Sequence, residues 1–176
     1  GWGVLFQLLI AVSTALICET AILRLRGFAI LPSLRDSSAV LTAALIAAAI
    51  PPLLPWWMTV LATAFAIIIA KQLYGGLGQN PFNPAMVGYV LLLVSFPVPM
   101  TTWQVPQTVA SHILTPTETA TVIFHGKTAE GLTSYQLKNL VDGTTMATPL
   151  DHLKTESKRG HSMNELVSAP NFKAIS

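Results

Sequence analysis

The chain has 176 residues, of which 52% are hydrophobic and 10% charged, with a net charge of +2 and a mean hydropathy of +0.57. An average soluble domain carries about 25% charged residues. The composition excludes a disordered chain, a nucleic-acid binder built on basic patches and a typical cytosolic enzyme, and it points to a membrane protein in a lipid bilayer. The charges are unevenly divided. Residues 1–100 hold only Arg24, Arg26, Arg35 and Lys71 against Glu19 and Asp36, whereas residues 101–176 hold six charges of each sign and all four histidines.

The first predicted element is an apolar span over 3–23, closed by Arg24 and Arg26. A bilayer core needs about 20 apolar residues in a helix. No basic stretch precedes this run, so it does not read as a normal signal peptide, and the absent initiator Met is expected of an internal fragment. Cys18 stands alone, which removes any intrachain disulfide, and reads as a small buried helix residue. Glu19 falls near the end of the span. An acid inside a membrane is a functional candidate, here for an ion pathway, unless a partner pairs it at the interface.

Residues 37–70 carry no charge and are too many for one helix. Pro51, Pro52 and Pro55, followed by Trp56 and Trp57, divide them. Prolines break helices and tryptophans favour the membrane interface, so the run reads as a hairpin of helices over 38–54 and 56–72. A fourth span is expected over 84–100, loosened at its end by Pro97 and Pro99. The expected fold class is therefore mainly α, a polytopic transmembrane helical protein over 1–100, with an extracytoplasmic, mostly irregular polar segment over 101–176. The three arginines after span one, and Lys71 after span three, put those loops in the cytoplasm. The Pro–Trp turn, Gly1 and residues 101–176 then fall outside.

Between spans three and four lies Tyr74-Gly75-Gly76-Leu77-Gly78-Gln79-Asn80-Pro81-Phe82-Asn83-Pro84. No Gly-Lys-Ser/Thr follows and no strand precedes, so this is not a phosphate loop. It reads as unwound backbone buried in protein or lining a cavity. Asn83-Pro84 looks like a helix cap and first turn, which accounts for one asparagine but not both; Asn80 and Asn83 are candidates for ligand contact.

The polar segment suggests a short strand at 122–124 and partial helix over 150–166. His112, His125, His152 and His161 lack metal-pair spacing and read as surface histidines. No Ser-His-Asp or paired-carboxylate constellation emerges. Asp142-Gly143 marks a turn ahead of an extended run to Leu150.

The segment from Lys71 to Met86, with its Gly-Gly-Leu-Gly-Gln-Asn-Pro-Phe-Asn-Pro core, resembles the signature loop of the RnfD (RsxD) family, the D subunits of Rnf electron transport complexes. The run Asp142-Gly143-Thr144-Thr145-Met146-Ala147-Thr148-Pro149-Leu150 resembles the same family's flavin-attachment site, Ser/Thr-x-Ala-Thr. The chain is more distantly similar to NqrB, the corresponding component of the sodium-pumping NADH:quinone reductase. The resemblance implies FMN linked covalently through its phosphate to Thr148, with Thr145, Ala147, Asp142 and Gly143 as motif residues. It implies a flavin transferase during maturation and electron relay between ferredoxin and NAD, coupled to Na⁺ or H⁺ movement. It further implies the other subunits of the Rnf complex (A, B, C, E and G) as partners and a multi-pass location in the bacterial inner membrane, residues 101–176 being periplasmic. A second, non-covalent flavin (riboflavin) is suggested for related proteins, with Asn80 and Asn83 as its candidate contacts. A membrane transporter and a cofactor-free scaffold are the competing classes; the transporter reading leaves Thr148 unexplained.

Overall fold

The computed structural model describes residues 1–76, 78–103 and 114–127. All of them lie in the first of two compact units, Gly1–Val141. Thr148, Thr145, Ala147, Asp142 and Gly143, and the candidate helix over 150–166, fall outside the described residues.

Every regular element among the described residues is helical. α1 runs from Trp2 to Leu25 without a proline, and its 24 residues give a length of about 36 Å. It stops because Gly27 takes a left-handed φ of +70°. The Phe28 N–H then bonds the Leu23 carbonyl and the Gly27 N–H the Arg24 carbonyl, the Schellman pattern that satisfies orphan carbonyls at a helix end. One stripe of α1 is buried, comprising Gly3, Gln7, Ala11, Thr14, Ala15, Glu19 and Leu23. The opposite face, with Leu5, Leu9 and Ile17, is exposed. α1 alone is long and apolar enough among the described helices to cross a membrane.

A short α2, Ile30–Arg35, leads into α3, Ser38–Ala49. α3 ends just before Pro51 and Pro52, and α4 begins after Pro55, spanning Trp56–Phe65, so the expected hairpin is present. The turn is tied down from α1. Gln7 Nε2 donates to the Leu54 carbonyl at 2.6 Å, and Thr59 donates its hydroxyl hydrogen to Gln7 Oε1 at 2.5 Å. Helical backbone continues to residue 72 as expected, but Ala66–Gln72 is a π-helix, a wider winding frequently found at functional sites.

α5 covers Pro84–Ser95 and packs closely on α4. A Cβ on Gly88 would lie 2.6 Å from the Ala62 carbonyl oxygen, so only glycine lets the two backbones approach this near. The expected single span over 84–100 is broken. Phe96 leaves helical geometry at φ −135°, and Pro97–Thr101 forms a separate short helix, α6, because Pro97 supplies no N–H to continue the ladder.

The strand expected at 122–124 is also corrected. Val122, Ile123 and Phe124 belong to α7, Pro116–His125. A capping box between Thr115 and Glu118, with Pro116 at the first helical position, starts this helix and overrides the β-propensity of Val-Ile. Part of the segment expected to be irregular is therefore helical. Val122 and Ile123 bury against Leu53 of the Pro–Trp turn, with Phe6, Ile10 and Leu114 around them. Trp56 and Phe124 bring their rings to 6.3 Å. α7 thus sits at the end of the bundle marked by the start of α1 and the hairpin turn. At the other end, Arg26 bonds the Gln72 carbonyl.

Candidate functional site

The arginine-bearing end of the bundle contains a polar cluster in an otherwise apolar interior. α1 supplies Glu19, the π-helix supplies Lys71 and Gln72, and the start of α3 supplies Ser38; all four side chains are buried. Lys71 Nζ donates to Glu19 Oε1 at 2.6 Å and to Ser38 Oγ at 2.6 Å. Gln72 Nε2 donates to the same Glu19 oxygen at 3.1 Å. The wide winding of the π-helix lets two consecutive residues reach one carboxylate. Glu19 Oε2 has no hydrogen-bond partner.

Ser38 passes the contact outward. Its hydroxyl donates to Asp36 Oδ1 at 2.7 Å, and its backbone N–H bonds the same oxygen at 2.9 Å. Ser37, the nominal cap of α3, is left-handed and makes no side-chain cap bond, so Asp36 takes that work. Burial pushes the Asp36 carboxyl up, but the Ser38 N–H, the Ser38 hydroxyl and the Lys71 charge outweigh it and hold the group below its ordinary value.

Glu19, Lys71, Gln72 and Asp36 line a cavity of about 480 Å³ together with Arg26, Ser33, Gly75 and Gly76. Arg26 lies 5.0 Å from the Phe28 ring centroid while it holds the Gln72 carbonyl. The expectation that Lys71 follows span three in a loop is corrected, since it lies within the π-helix, nearly as buried as Glu19. The signal that reveals this pairing in the sequence is a single Lys closing a 34-residue uncharged run, opposite a single acid in span one. Two isolated opposite charges within apolar spans need each other.

The two loop asparagines do different work. Asn83 caps α5, its Oδ1 accepting the Ala85 N–H at 2.9 Å, with Pro84 in the first turn as expected. Asn80 braces the loop itself, accepting from the Gly78 N–H at 3.1 Å and donating to the Phe82 carbonyl at 2.6 Å. Each amide retains hydrogen-bonding capacity beyond these contacts. Gly75, Gly76 and Gly78 all take positive φ, which explains the glycine content of the turn. Cys18 is half-buried against the alanine-lined contact of α1 and α3. No group of three or more His, Cys, Asp or Glu side chains converges among the described residues.

A family model described as the NQR2, RnfD, RnfE family matches residues 1–175. The chain is 75% identical over 176 residues to a protein of Tolumonas auensis named as the D subunit of an ion-translocating oxidoreductase complex, covering 100% of this chain and 51% of that one. It is 58% identical over 168 residues to the protein of the same name from Aeromonas hydrophila subsp. hydrophila, covering 96% and 48%. Against that of Escherichia coli O127:H6 it is 53% identical over 175 residues, covering 99% and 50%. The chain spans about half the length of these curated relatives. The match takes in the helices, the Gly-Asn-Pro loop and the buried Glu19–Lys71 pair alike, and the chain belongs to the NQR2, RnfD, RnfE family.

Proposed function

We propose that this chain is the flavin-bearing part of the D subunit of an Rnf-type ion-translocating oxidoreductase complex. The observation that carries the reading is the Thr145-Met146-Ala147-Thr148 motif in a chain of this family. A transferase moves FMN from FAD to the Thr148 hydroxyl. A phosphoester forms, the pyrophosphate bond of FAD breaks, and AMP leaves. Once attached, FMN supplies electron transfer to the complex, between ferredoxin and NAD. In the sequence, Pro149 follows Thr148 directly, and a proline disfavours helical backbone at the residue before it.

The protein is a multi-pass component of the bacterial inner membrane, assembled with the other subunits of the complex (A, B, C, E and G). The helices shorter than a lone span are covered by partner helices, and the exposed apolar faces of α1 and α5 meet lipid or those partners. Residues 101–176 face the periplasm. The packing of α7 on the Pro–Trp turn, at the end away from Arg26 and Lys71, supports this orientation. Glu19 belongs to the ion pathway that couples Na⁺ or H⁺ movement to electron flow, and Asn80 and Asn83 border a non-covalent flavin.

Visible absorbance of the full-length protein, taken from the intact complex, denatured and washed, tests the reading. Yellow colour that survives denaturation is expected. Colourless protein would overturn it in favour of a transporter or a cofactor-free scaffold.

A further inference from the structure

The buried carboxylate of Glu19 is only half used. One oxygen accepts from both Lys71 and Gln72, while Oε2 has no donor, although the residue is 2% exposed and lines a cavity. Buried polar atoms are rarely left in this state. We propose that Glu19 Oε2 is a proton-binding site loaded from this cavity, and that Lys71 conveys its occupancy to the Gly-Asn-Pro loop. The proposal rests on the ion-coupling role assigned to Glu19 above and names the ion this site takes.

The charged groups around Glu19 come from each element packed there. Lys71 comes from the π-helix, Asp36 from the junction before α3, and Arg26 from the end of α1. Glu19, Asp36 and Lys71 together carry one excess negative charge, which Arg26 offsets from its place in the cavity lining. Arg26 is itself committed to the Gln72 carbonyl and the Phe28 ring. Arg24 and Arg35 are exposed and do not line the cavity.

The ligand set selects a proton over a metal cation. Hard cations take about six or more oxygens in a shell. Here the ammonium of Lys71 already occupies the point between Glu19 Oε1 and Ser38 Oγ where such a cation would sit. A proton needs one lone pair, and Oε2 has it free. On loading, an O–H bond forms at Oε2 from a proton entering by the cavity and no bond within the protein breaks. On unloading, the same bond breaks and the proton returns to the cavity.

Loading neutralises the counter-ion of Lys71 and leaves its ammonium held by Ser38, and through Ser38 by Asp36. The backbone at this point anchors the loop. The Lys71 carbonyl accepts from the Gly76 N–H at 3.0 Å, and the Gln72 carbonyl accepts from Gly75 at 3.2 Å and from Arg26 at 2.9 Å. A shift of Lys71 therefore moves Gly75 and Gly76, the first residues of the loop that carries Asn80.

pH-difference infrared spectra of the intact complex test the proposal. A carboxylic-acid C=O band that is lost in Glu19→Gln and displaced in Glu19→Asp is expected. Identical spectra for wild type, Glu19→Gln and Glu19→Asp would overturn it. Stabilisation of the wild type by NaCl over choline chloride at equal ionic strength, absent in Glu19→Gln, would assign the site to Na⁺ and also overturn it. Covalent flavin fluorescence measured on the same samples is independent of the result: its absence with the band present sinks the flavin reading alone, and its presence without the band sinks only the proton site.

Discussion

Lys71 Nζ lies 2.6 Å from Glu19 Oε1, with the two side chains 3% and 2% exposed. The Gln7–Thr59 contact at the other end of the same seam has the same sequence separation, 52 residues. α1 and the α4–π-helix segment therefore run parallel and in register, pinned at both ends by polar contacts, with Ala11, Ala15 and Ile67 buried in one cluster between them. Interhelical hydrogen bonds and small residues replace the hydrophobic effect as the source of specificity between apolar helices.

Lys71→Met should leave Glu19 buried without a counter-ion and destabilise the protein by about 3–5 kcal/mol. The double variant Glu19→Gln/Lys71→Met should recover more than half of that loss. Detergent-solubilised thermal unfolding of the complex measures both. A double variant no better than the single would mean that the pair is not the coupled unit described here.

Asp36→Ala should cost about 1 kcal/mol by removing the side-chain acceptor at the start of α3. The same contact gives a pH dependence. The Asp36 carboxyl is held below its ordinary value, so its contribution is present above the unfolded-state value and is lost as pH falls through the lower, folded one. The unfolding midpoint of wild type should thus fall more steeply than that of Asp36→Ala as the pH is lowered past the usual carboxylate range. Parallel acid profiles would contradict this.

Much of the helix plan is legible in the sequence because its signals are local. The uncharged run, the Pro51–Trp57 breaker and the Asn83-Pro84 start each act within a few residues, and α1, the hairpin and the α5 cap follow from them. Thr115 with Glu118 is just as local, and the capping box it forms is what makes Val122-Ile123 helical rather than the expected strand. Phe96 interrupts the expected fourth span because two nearby prolines do more than loosen its end. The lone Lys and the lone acid are visible in the sequence, but the face on which Lys71 lies is hidden for a different reason. A π-helix shifts the phase of every side chain after Ala66, so a 3.6-residue period cannot show that Lys71 and Gln72 both face Glu19. Asn80 has a local structural job that composition alone does not reveal.

Reporter fusions to the full-length protein at Gly126 and at Ser33 should read opposite sides of the membrane. Gly126 ends α7 at the hairpin end, whereas Ser33 lies between the arginine-bearing end of α1 and the start of α3. The same signal from both positions would contradict the topology.

Asn80→Leu with Asn83→Leu in the full-length protein should lower extractable, non-covalent flavin while covalent FMN remains. Asn83→Leu alone also removes the α5 cap, at a cost of about 1 kcal/mol, so helicity should be checked by circular dichroism. Unchanged extractable flavin in a well-folded double variant would leave both asparagines as loop and cap residues only.

Peptide mass spectrometry of the full-length protein from the intact complex tests the flavin assignment directly. An FMN phosphoester on Thr148 is expected. Thr148→Val, which keeps the shape and removes the hydroxyl, should abolish fluorescence on a denaturing gel, whereas Thr144→Val should retain it and Thr145→Val should reduce it. An adduct on Thr144 or Thr145, or full fluorescence in Thr148→Val, would contradict the assignment.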